Sequence, residues 1–362
     1  MLTLIDQHTP PNWPLMHKSI STTITCGESA LTGPVLFDDR WCGNHGIGRF
    51  ATEIRARIRG LTPVPHTLRH LHPLDSFWLS SVIVGRGARA YFTPGYNPPL
   101  PTRVPLVMTV HDLNYLFIRE NSNVVRRAYF RTIVKAGCRR AARILTVSEF
   151  SRHQIAEWSG IGLDRIINVS NGVSPVFNPL GPGTTRPVPY FLYVGLRGGH
   201  KNLPRLFRAF ARARIDHSVQ LLLTGAPEHH LQQIAAQEGC GERIVFLGSI
   251  PDDELARLYR GAIALLMPSL YEGFGLPAAE AMSCGTPTVA SAAGGLAEVC
   301  ADASLLVDPS NVESITDGIE RIIDDEPLRE TLRERGFRQA GRFRWDTTVA
   351  RVFAALADAK HA

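Results

Sequence analysis

The sequence predicts two doubly wound α/β domains that face each other across a cleft. Three observations support this fold class. The 362 residues are enough for two domains of ordinary size. Short apolar runs with strand character alternate with helical stretches along most of the chain. A stretch dense in glycine and proline, 178–189, interrupts this alternation near the middle of the chain and predicts a linker.

The composition sets limits on the class of protein. A hydrophobic fraction of 44% and a charged fraction of 20% are typical of a globular protein with buried cores. The six cysteines form no C-x-x-C pair, which disfavours a disulfide framework or a zinc site. No apolar run reaches the roughly 18 residues of a spanning helix, and the N-terminus lacks the pattern of a secretory signal. We therefore expect a cytoplasmic protein, and leave open a peripheral position on the inner face of the cytoplasmic membrane.

The charge is unevenly divided along the chain. Residues 1–180 carry 20 Lys and Arg against 11 Asp and Glu, whereas residues 181–362 carry 19 against 22. A basic first half predicts contact with an anionic partner: a phosphorylated acceptor, an anionic membrane surface or nucleic acid. Nucleic acid is not expected, because no recognised binding motif accompanies the charge.

The first half begins with an extension rich in Pro, Thr and Ser over 1–33, followed by a predicted domain over 34–177. Helical stretches are predicted over 50–59 and 122–142. Runs of apolar residues predict strands near 34–37, 90–92, 106–110, 143–147 and 166–169. Because ligands of parallel sheets bind beyond the carboxyl ends of the strands, the residues that follow each strand are the candidates for function.

The second half, 190–340, repeats this alternation after the linker. Helices are predicted over 203–212, 277–283 and 347–357, the last of them within a C-terminal segment, 341–362. Strands are predicted over 190–194, 219–224, 243–247, 263–267, 288–290 and 305–307. Two α/β units of similar design predict a single cleft between them.

The most informative segment is 268–291, PSLYEGFGLPAAEAMSCGTPTVAS. Its glycine-broken loop, Gly273–Gly275, follows a predicted strand and exposes backbone N–H groups at the start of a helix. Glu272 and Glu280 stand on either side of this loop with seven residues between them. Such a loop at the positive end of a helix suits a diphosphate, and the carboxylates suit the hydroxyls of a sugar or a ribose.

This segment resembles the C-terminal signature of retaining glycosyltransferase family 4, and the chain has a general likeness to bacterial mannosyltransferases. The resemblance implies the GT-B fold, in which two Rossmann-like doubly wound domains face a central cleft and segment 341–362 crosses back to the N-terminal domain. It also implies that Glu280 holds the ribose hydroxyls of a nucleotide-sugar donor. The other members of the segment are expected beside the donor sugar and its phosphates: Glu272 as a catalytic residue, with Gly273, Phe274, Gly275 and Leu276.

The loop after the first strand of the second half resembles the donor-phosphate loop of the same family. A fixed cation there would stabilise the negative charge on a departing diphosphate, and the resemblance assigns this catalytic role to Arg197 and Lys201. Gly195 and Asn202 are expected to bind the donor as well. The match is incomplete, because Leu196 stands where many members have arginine.

Four further residues carry the resemblance outside these loops. Gly46 and Gly48 belong to a G-x-G-R turn that the family places near the donor phosphates, where glycine lets the backbone approach an anion closely. His111 follows a predicted strand. In the family a histidine at this place commonly faces the donor sugar, and the resemblance therefore implies that His111 is a catalytic residue. Ile250 is expected near the nucleobase.

A basic helix is predicted on the acceptor side of the first half. Arg126, Arg127, Arg131 and Lys135 recur at spacings of three and four, which places several of them on one helical face. Such a face suits an anionic membrane or the pyrophosphate of a polyprenyl-diphosphate-linked acceptor. The alternative is an ordinary solvated charged helix.

The resemblance implies transfer of a hexose, with retention of configuration, to a saccharide or lipid-linked saccharide acceptor in cell-surface polysaccharide synthesis. GDP-mannose is the favoured donor, with UDP-glucose or UDP-N-acetylglucosamine as the alternatives. No metal or other cofactor is expected, because the chain contains no D-x-D triplet.

Three other classes stay open at this point. The first is a phosphorylase-like enzyme or a sugar-nucleotide epimerase on the same fold. The second is a non-catalytic protein that binds a sugar nucleotide. The third is an NAD-dependent dehydrogenase, which is disfavoured because Gly46 and Gly48 are not followed by the third glycine and the acid of that fingerprint.

Overall fold

The computed structural model describes residues 33–43, 46–65, 68, 72, 74–118, 120, 122–195 and 198–359. Within these residues the chain forms two parallel six-stranded sheets with flanking helices, which confirms the predicted fold class. The N-terminal extension, apart from Gly33, and Arg197 of the donor-phosphate loop lie outside the described residues.

The first sheet has the strand order β2-β1-β3-β4-β5-β6. Its strands are β1 (Val35–Phe37), β2 (Leu61–Pro63), β3 (Ala90–Thr93), β4 (Leu106–Thr109), β5 (Arg143–Thr146) and β6 (Ile166–Asn168). Its helices are α1 (Gly46–Arg57), α2 (Asp75–Ile83), α3 (Asn114–Phe117), α4 (Val124–Tyr129), α5 (Lys135–Arg140) and α6 (Glu149–Ser159). The single helix predicted over 122–142 is confirmed, because α4 and α5 form one continuous helical run over 124–140 through a π-helical turn, Phe130–Val134.

The second sheet has the strand order β12-β11-β10-β7-β8-β9. Its strands are β7 (Tyr190–Tyr193), β8 (Gln220–Leu223), β9 (Ile244–Phe246), β10 (Leu265–Met267), β11 (Thr288–Ser291) and β12 (Leu305–Val307). Its helices are α7 (Leu203–Arg212), α8 (His229–Gln237), α9 (Asp252–Gly261), α10 (Leu276–Ser283), α11 (Gly294–Cys300), α12 (Val312–Asp324) and α13 (Glu326–Ala340).

The strand order of the second sheet fixes where a ligand can bind. The chain runs outward from β7 through β8 to β9, then returns to β10 on the other side of β7. The loops that follow β7 and β10 therefore diverge at adjacent strands, and such a switch point opens a crevice beyond the carboxyl ends of the strands. The loops predicted to bind the donor are the ones that begin there.

The last helix, α14 (Trp345–Ala357), packs against the first sheet although it follows the second in the chain. Val349, Val352 and Leu356 are fully buried in the same apolar core as Phe50 of α1. Arg351 donates to the main-chain oxygen of Asn168 at 3.3 Å. The chain thus crosses back to the first half, as the family resemblance implied.

Two side chains of the second half hold backbone groups of the first half. The Tyr271 hydroxyl accepts a hydrogen bond from the Leu113 amide at 3.2 Å and donates one to Gln154 at 2.5 Å. The Glu298 carboxylate accepts from the amides of Glu149 and Phe150 at the start of α6, both at 3.1 Å. Because the free N–H groups of a helix start need acceptors, Glu298 fixes α6 against the second half. Among the described residues, no helix is long and apolar enough to cross a membrane.

Candidate active site

Lys201 and Glu272 form a buried ion pair at the switch point. Lys201 ends a short 3-10 turn after β7, Glu272 lies in the loop after β10, and Nζ stands 2.7 Å from Oε1. Burial alone would raise the pKa of the Glu272 carboxyl, but the Lys201 ammonium beside it lowers this pKa below its ordinary value. Glu272 is therefore a carboxylate at neutral pH, and Lys201 is a cation held at the floor of the crevice.

Glu280 occupies a different environment eight positions further along the chain. Its Oε1 accepts from Arg49 Nη1 at 2.8 Å, and its Oε2 accepts from the Tyr259 hydroxyl at 3.1 Å. Burial raises the pKa of this carboxyl to about 7, although Arg49 and Tyr259 both oppose the rise. Glu272 and Glu280 are thus chemically distinct, since one is firmly ionised and the other titrates near neutral pH.

The glycines between these glutamates allow close contact with the first half. A Cβ on Gly273 would lie 2.8 Å from the main-chain oxygen of His111 and from Cβ of Asp112. Gly275 caps the start of α10 with a φ of +107°, a conformation that favours glycine. The loop after β10 therefore lies directly against the loop after β4 of the first sheet.

Phe274 and Leu276 face away from the crevice. Phe274 is buried in an apolar cluster with Val147 and Met282, and its ring meets that of Phe343 edge-on at 5.3 Å. Leu276 packs against the same cluster. The side chains of these two residues anchor the loop, so only their backbone groups are available to a donor.

Asn202 holds the donor-side loops together. Its amide nitrogen donates to the main-chain oxygens of Pro268 at 2.9 Å and Pro309 at 2.7 Å, and its oxygen accepts from Arg205. Its φ of +61° belongs to the left-handed region, which asparagine tolerates better than most residues. Asn202 thus joins the loop after β7 to the loop after β10 and leaves Lys201 facing the crevice.

Gly195 and Ile250 lie at the edges of this region. Gly195 lies two residues after the end of β7, and a Cβ on this glycine would lie 3.6 Å from Nζ of Lys201. Ile250 is half-buried after β9 and packs against the core that contains Tyr259. Both therefore lie beyond carboxyl ends of strands in the second sheet.

The first half contributes the opposite wall. His111 is buried after β4, its Nε2 lies 2.9 Å from the Pro94 main-chain oxygen, and its ring meets Phe50 edge-on. Gly48 is packed so tightly that a Cβ would lie 2.8 Å from the Gly43 backbone, whereas Gly46 has open space around it. The turn that contains these glycines begins α1 and directs the next residue, Arg49, toward Glu280.

Asp112 is a member of this wall that the sequence reading did not assign to the site. Its Oδ1 accepts from the Asn114 amide at 3.0 Å. Burial, and the nearby charge of Glu272, raise the pKa of this carboxyl to about 6. Its place directly after the candidate His111 was the available signal, but only the folded chain brings it beside Glu272 and Lys201.

The basic helix predicted on the acceptor side is partly engaged with the protein. Arg126 lies 4.7 Å above the Tyr115 ring, Arg127 donates to the Leu116 main-chain oxygen at 3.0 Å, and Lys135 lies 5.7 Å from the Trp158 ring. Arg131 is exposed. Exposed apolar side chains accompany these cations on the same surface: Phe117, Val124 and Val125.

A cavity of about 350 Å³ lies beside Phe274, whose side chain helps to line it. Its polar lining includes Glu149 of α6, Asn171 in the segment after β6, and Arg344 just before α14. The charged groups Lys201, Glu272 and Glu280 do not line it. We therefore place the candidate site at the switch point, where the charged groups meet, and not in this cavity.

The comparisons with known proteins agree with this geometry. Residues 44–177 match the model described as glycosyltransferase family 4, and residues 183–339 match that of glycosyl transferases group 1. The chain is 31% identical over 329 residues to O-antigen chain mannosyltransferase B of Escherichia coli, which covers 87% of this chain and 84% of that protein. The chain belongs to glycosyltransferase family 4.

Two solved structures support the GT-B fold of this glycosyltransferase. Sucrose-phosphate synthase from Thermosynechococcus elongatus superposes with a TM-score of 0.71 at 22% identity, covering 88% of this chain and 97% of that chain. The Anabaena protein HepE, solved with UDP and glucose, gives a TM-score of 0.70 at 19% identity, covering 88% and 98%. At these identities the likeness shows the fold, and it confirms the two facing domains predicted from the sequence.

The side-chain partners of the glycosyltransferase site could not have been named from the sequence. The pairing of Arg49 with Glu280 joins residues 231 positions apart. The G-x-G-R turn identified Arg49 as a neighbour of the donor, but the motif gives no direction for its side chain. The role of Tyr271 between the domains carried no sequence signal beyond its position next to Glu272.

Proposed function

We propose that this glycosyltransferase moves a mannosyl group from GDP-mannose to a saccharide or lipid-linked saccharide acceptor, in the synthesis of a cell-surface polysaccharide. The proposal is supported by the name of the relative at 31% identity, an O-antigen chain mannosyltransferase. The observation that carries the site assignment is the pair of buried carboxylates at one switch point, one beside Lys201 and one beside Arg49.

The donor would lie across this switch point. In this proposal its ribose hydroxyls donate to Glu280, and its nucleobase lies toward Ile250. Its diphosphate approaches Lys201 and the amides of the Gly273–Gly275 loop, at the N-terminus of α10, where the helix dipole favours an anion. The hexose then faces His111 and Glu272, on opposite walls of the cleft.

The transfer breaks the bond between the anomeric carbon and the phosphate oxygen of the donor. Lys201, and Arg197 by the family resemblance, stabilise the negative charge that develops on the departing diphosphate. The acceptor hydroxyl forms its new bond to the anomeric carbon on the face that the diphosphate leaves, so the configuration is retained. Its proton passes to an oxygen of the departing phosphate, and GDP is released. In this scheme Glu272 orients Lys201 and the sugar and forms no covalent intermediate.

We propose further that the reaction needs no metal ion or other cofactor. The cationic groups of the protein itself, Lys201 foremost, would neutralise the leaving group. The acceptor would bind on the side of the first half, where Arg126, Arg127, Arg131 and Lys135 offer positive charge to a pyrophosphate or to an anionic membrane. Exposed apolar side chains on this surface, Val124 and Val125, suit a membrane better than a purely aqueous partner.

A nucleotide screen tests the donor site. Thermal unfolding is measured with GDP, UDP, dTDP and their common sugars, and a ligand present at about 100 times its Kd stabilises the fold by roughly 2.7 kcal/mol. We expect a shift with GDP and GDP-mannose that is reduced in Glu280→Gln. Glu320→Gln is the matched control, since Glu320 also pairs with an arginine, but at a remote surface. A shift with UDP alone would mean that the donor is a UDP-sugar and not GDP-mannose. The absence of a shift with any nucleotide would contradict the proposed donor site.

A transfer assay tests the reaction. Release of GDP from GDP-mannose is followed with and without acceptor saccharides, and the product linkage is assigned by NMR. We expect release that depends on the acceptor, an α-linked product and full activity in EDTA. A β-linked product would contradict retention, loss of activity in EDTA would contradict metal independence, and turnover without an acceptor would indicate a hydrolase or an epimerase.

A further inference from the structure

Arg49 connects the first half of the molecule to the carboxylate proposed to hold the ribose. We propose that Arg49 is a positioning residue that holds Glu280 in place for the ribose hydroxyls and thereby makes nucleotide binding depend on contact between the two domains. This inference rests on the proposed function, because it concerns the same nucleotide site.

The guanidinium of Arg49 bridges two carboxylates on two helices of the second half. Nη1 lies 2.8 Å from Oε1 of Glu280 on α10, and Nη2 lies 2.7 Å from Oδ1 of Asp252 on α9. Its flat face lies 5.6 Å from the Phe177 ring. The side chain is only 18% exposed, so the arginine is held in one orientation by contacts on three sides.

This arrangement leaves Glu280 able to accept more hydrogen bonds. Among the residues that the structure describes, each of its oxygens has one donor, Arg49 on Oε1 and the Tyr259 hydroxyl on Oε2. A carboxylate has about four acceptor sites, so the adjacent hydroxyls of a ribose can still bind. Arg49 and Tyr259 therefore fix the plane of the carboxylate and do not consume its acceptor capacity.

The groups around Glu280 explain why the arginine matters. The facing groups are Arg49 of α1, Asp252 and the Tyr259 hydroxyl of α9, and the Cys284 thiol at the end of α10. Of these, Arg49 is the cation. Burial already raises the pKa of Glu280 to about 7, so loss of the Arg49 charge would raise this pKa further and leave the carboxyl protonated at neutral pH. A protonated carboxyl is a poorer acceptor for two hydroxyls.

The origin of Arg49 ties this effect to domain contact. Arg49 belongs to α1 and follows the tightly packed Gly48, whereas Glu280 and Asp252 belong to the second half. Separation of the two halves would remove the cation from Glu280. The nucleotide site is then complete only when the domains are in contact.

The test is calorimetric titration of the full chain with GDP and with 2′,3′-dideoxy-GDP between pH 6.5 and 9, with UDP in parallel. The variants are Arg49→Gln, Arg49→Lys, Glu280→Gln and the Arg49→Gln/Glu280→Gln double variant. Arg55→Gln is the matched control, because Arg55 lies on the same helix and pairs with Asp39 at an exposed position. Circular dichroism checks that each variant is folded.

We expect Arg49→Gln to weaken GDP binding about fivefold at pH 7, because an upward shift of about one unit from a pKa of about 7 lowers the ionised fraction of Glu280 by about that factor, with recovery toward pH 9. Arg49→Lys should restore part of the affinity, and the double variant should be no weaker than Glu280→Gln, whose binding should not vary with pH. The preference for GDP over its dideoxy analogue should be lost with Arg49→Gln and kept with Arg55→Gln.

Two results would overturn the inference in distinguishable ways. In the first result, the wild-type protein binds GDP or UDP, and Arg49→Gln binds it with unchanged affinity, pH profile and preference for the ribose. This result would overturn the role of Arg49 alone. Wild-type protein that binds neither nucleotide would overturn the proposed function and this inference with it.

Discussion

At the scale of single residues, the two glutamates of the loop after β10 differ because their neighbours differ. Glu272 is paired with an ammonium at 2.7 Å and is held ionised, whereas Glu280 lies deep beside a tyrosine and shares its arginine with Asp252. A carboxylate that stays ionised, as Glu272 does, is suited to the proposed position beside the donor sugar and its leaving group. A carboxyl that titrates near neutral pH, as Glu280 does, would make the proposed donor binding sensitive to its surroundings.

The Lys201 ammonium should be essential to turnover. Replacement of Lys201 by alanine removes the cation that we propose lies beside the departing diphosphate, and loss of one such group lowers kcat by about 10²–10³-fold. The measurement is the steady-state rate of nucleotide release, with Arg214→Ala, which removes an exposed cation paired with Glu320, as the control. Glu272 would also lose its partner, so the unfolding free energy is measured alongside. A variant with normal kcat would contradict the catalytic role of Lys201.

Asp112 should weaken the fold at neutral pH. Its folded pKa of about 6 lies above the ordinary 3.8, so the folded state binds more protons and stability falls as the pH rises from about 4 to about 6. Because the side chain is half-buried, Asp112→Asn should stabilise the protein by only about 1–2 kcal/mol at pH 7.5, with little gain at pH 4.

Urea unfolding at these two pH values measures the effect of Asp112→Asn. Asp216→Asn is the matched control, because Asp216 accepts an amide two residues ahead in the same way but is exposed, and its pKa is lowered. An equal gain from Asp112→Asn at both pH values would contradict the explanation by protonation.

At the scale of elements, the sequence located strands better than it located side-chain contacts. The strands β3, β7 and β12 fall within a residue or two of their predicted places, because parallel strands covered on both faces are continuous apolar runs. The helix predicted over 122–142 runs without interruption over 124–140, but its π-helical turn, Phe130–Val134, was not predicted, because that turn contains neither a proline nor a glycine to reveal it. Contacts between elements, such as Arg49 with Glu280, depend on packing that no local pattern encodes.

The contact of α11 with the loop after β10 should be sensitive to any added side chain. A Cβ on Gly295 would lie 2.2 Å from the Gly273 main-chain oxygen, so Gly295→Ala must displace the loop or α11. We expect a loss of about 1–3 kcal/mol of stability and weaker GDP binding, measured by urea unfolding and calorimetry. Gly341→Ala is the control, since its nearest contacts, at 3.4 Å and beyond, are ordinary. Wild-type behaviour of Gly295→Ala would show that the loop is not held as described.

The basic helix should bind anionic membranes. The double variant Arg126→Glu/Arg131→Glu places like charge against anionic lipid, and each lost cation weakens binding by about 1 kcal/mol. Co-sedimentation with vesicles of phosphatidylglycerol and phosphatidylcholine measures this, and Arg212→Glu/Arg338→Glu, on the second half, is the control. Equal sedimentation of the two double variants would favour the solvated-helix alternative.

At the scale of the whole molecule, the two halves are joined by more than the linker. Tyr271 and Glu298 bind backbone groups of the first half, and α14 completes the core of the first sheet from the end of the chain. The stability of each half therefore depends on the other half, and these contacts hold the two walls of the cleft in fixed relative positions. This dependence follows from the three-dimensional path of the chain, which the family resemblance implied and which composition and periodicity alone did not.

Damage to α14 should loosen the first sheet although α14 follows the second. Leu356 is fully buried in the core of the first half, so Leu356→Ala should lower the unfolding free energy by about 2–5 kcal/mol. Hydrogen exchange should then show lost protection in β1, β3 and β4, with β7, β8 and β10 less affected. Leu306→Ala is the control, because Leu306 is 39% exposed on β12 and should change stability little. Loss of protection confined to the second sheet would mean that α14 belongs energetically to the half that precedes it in the chain.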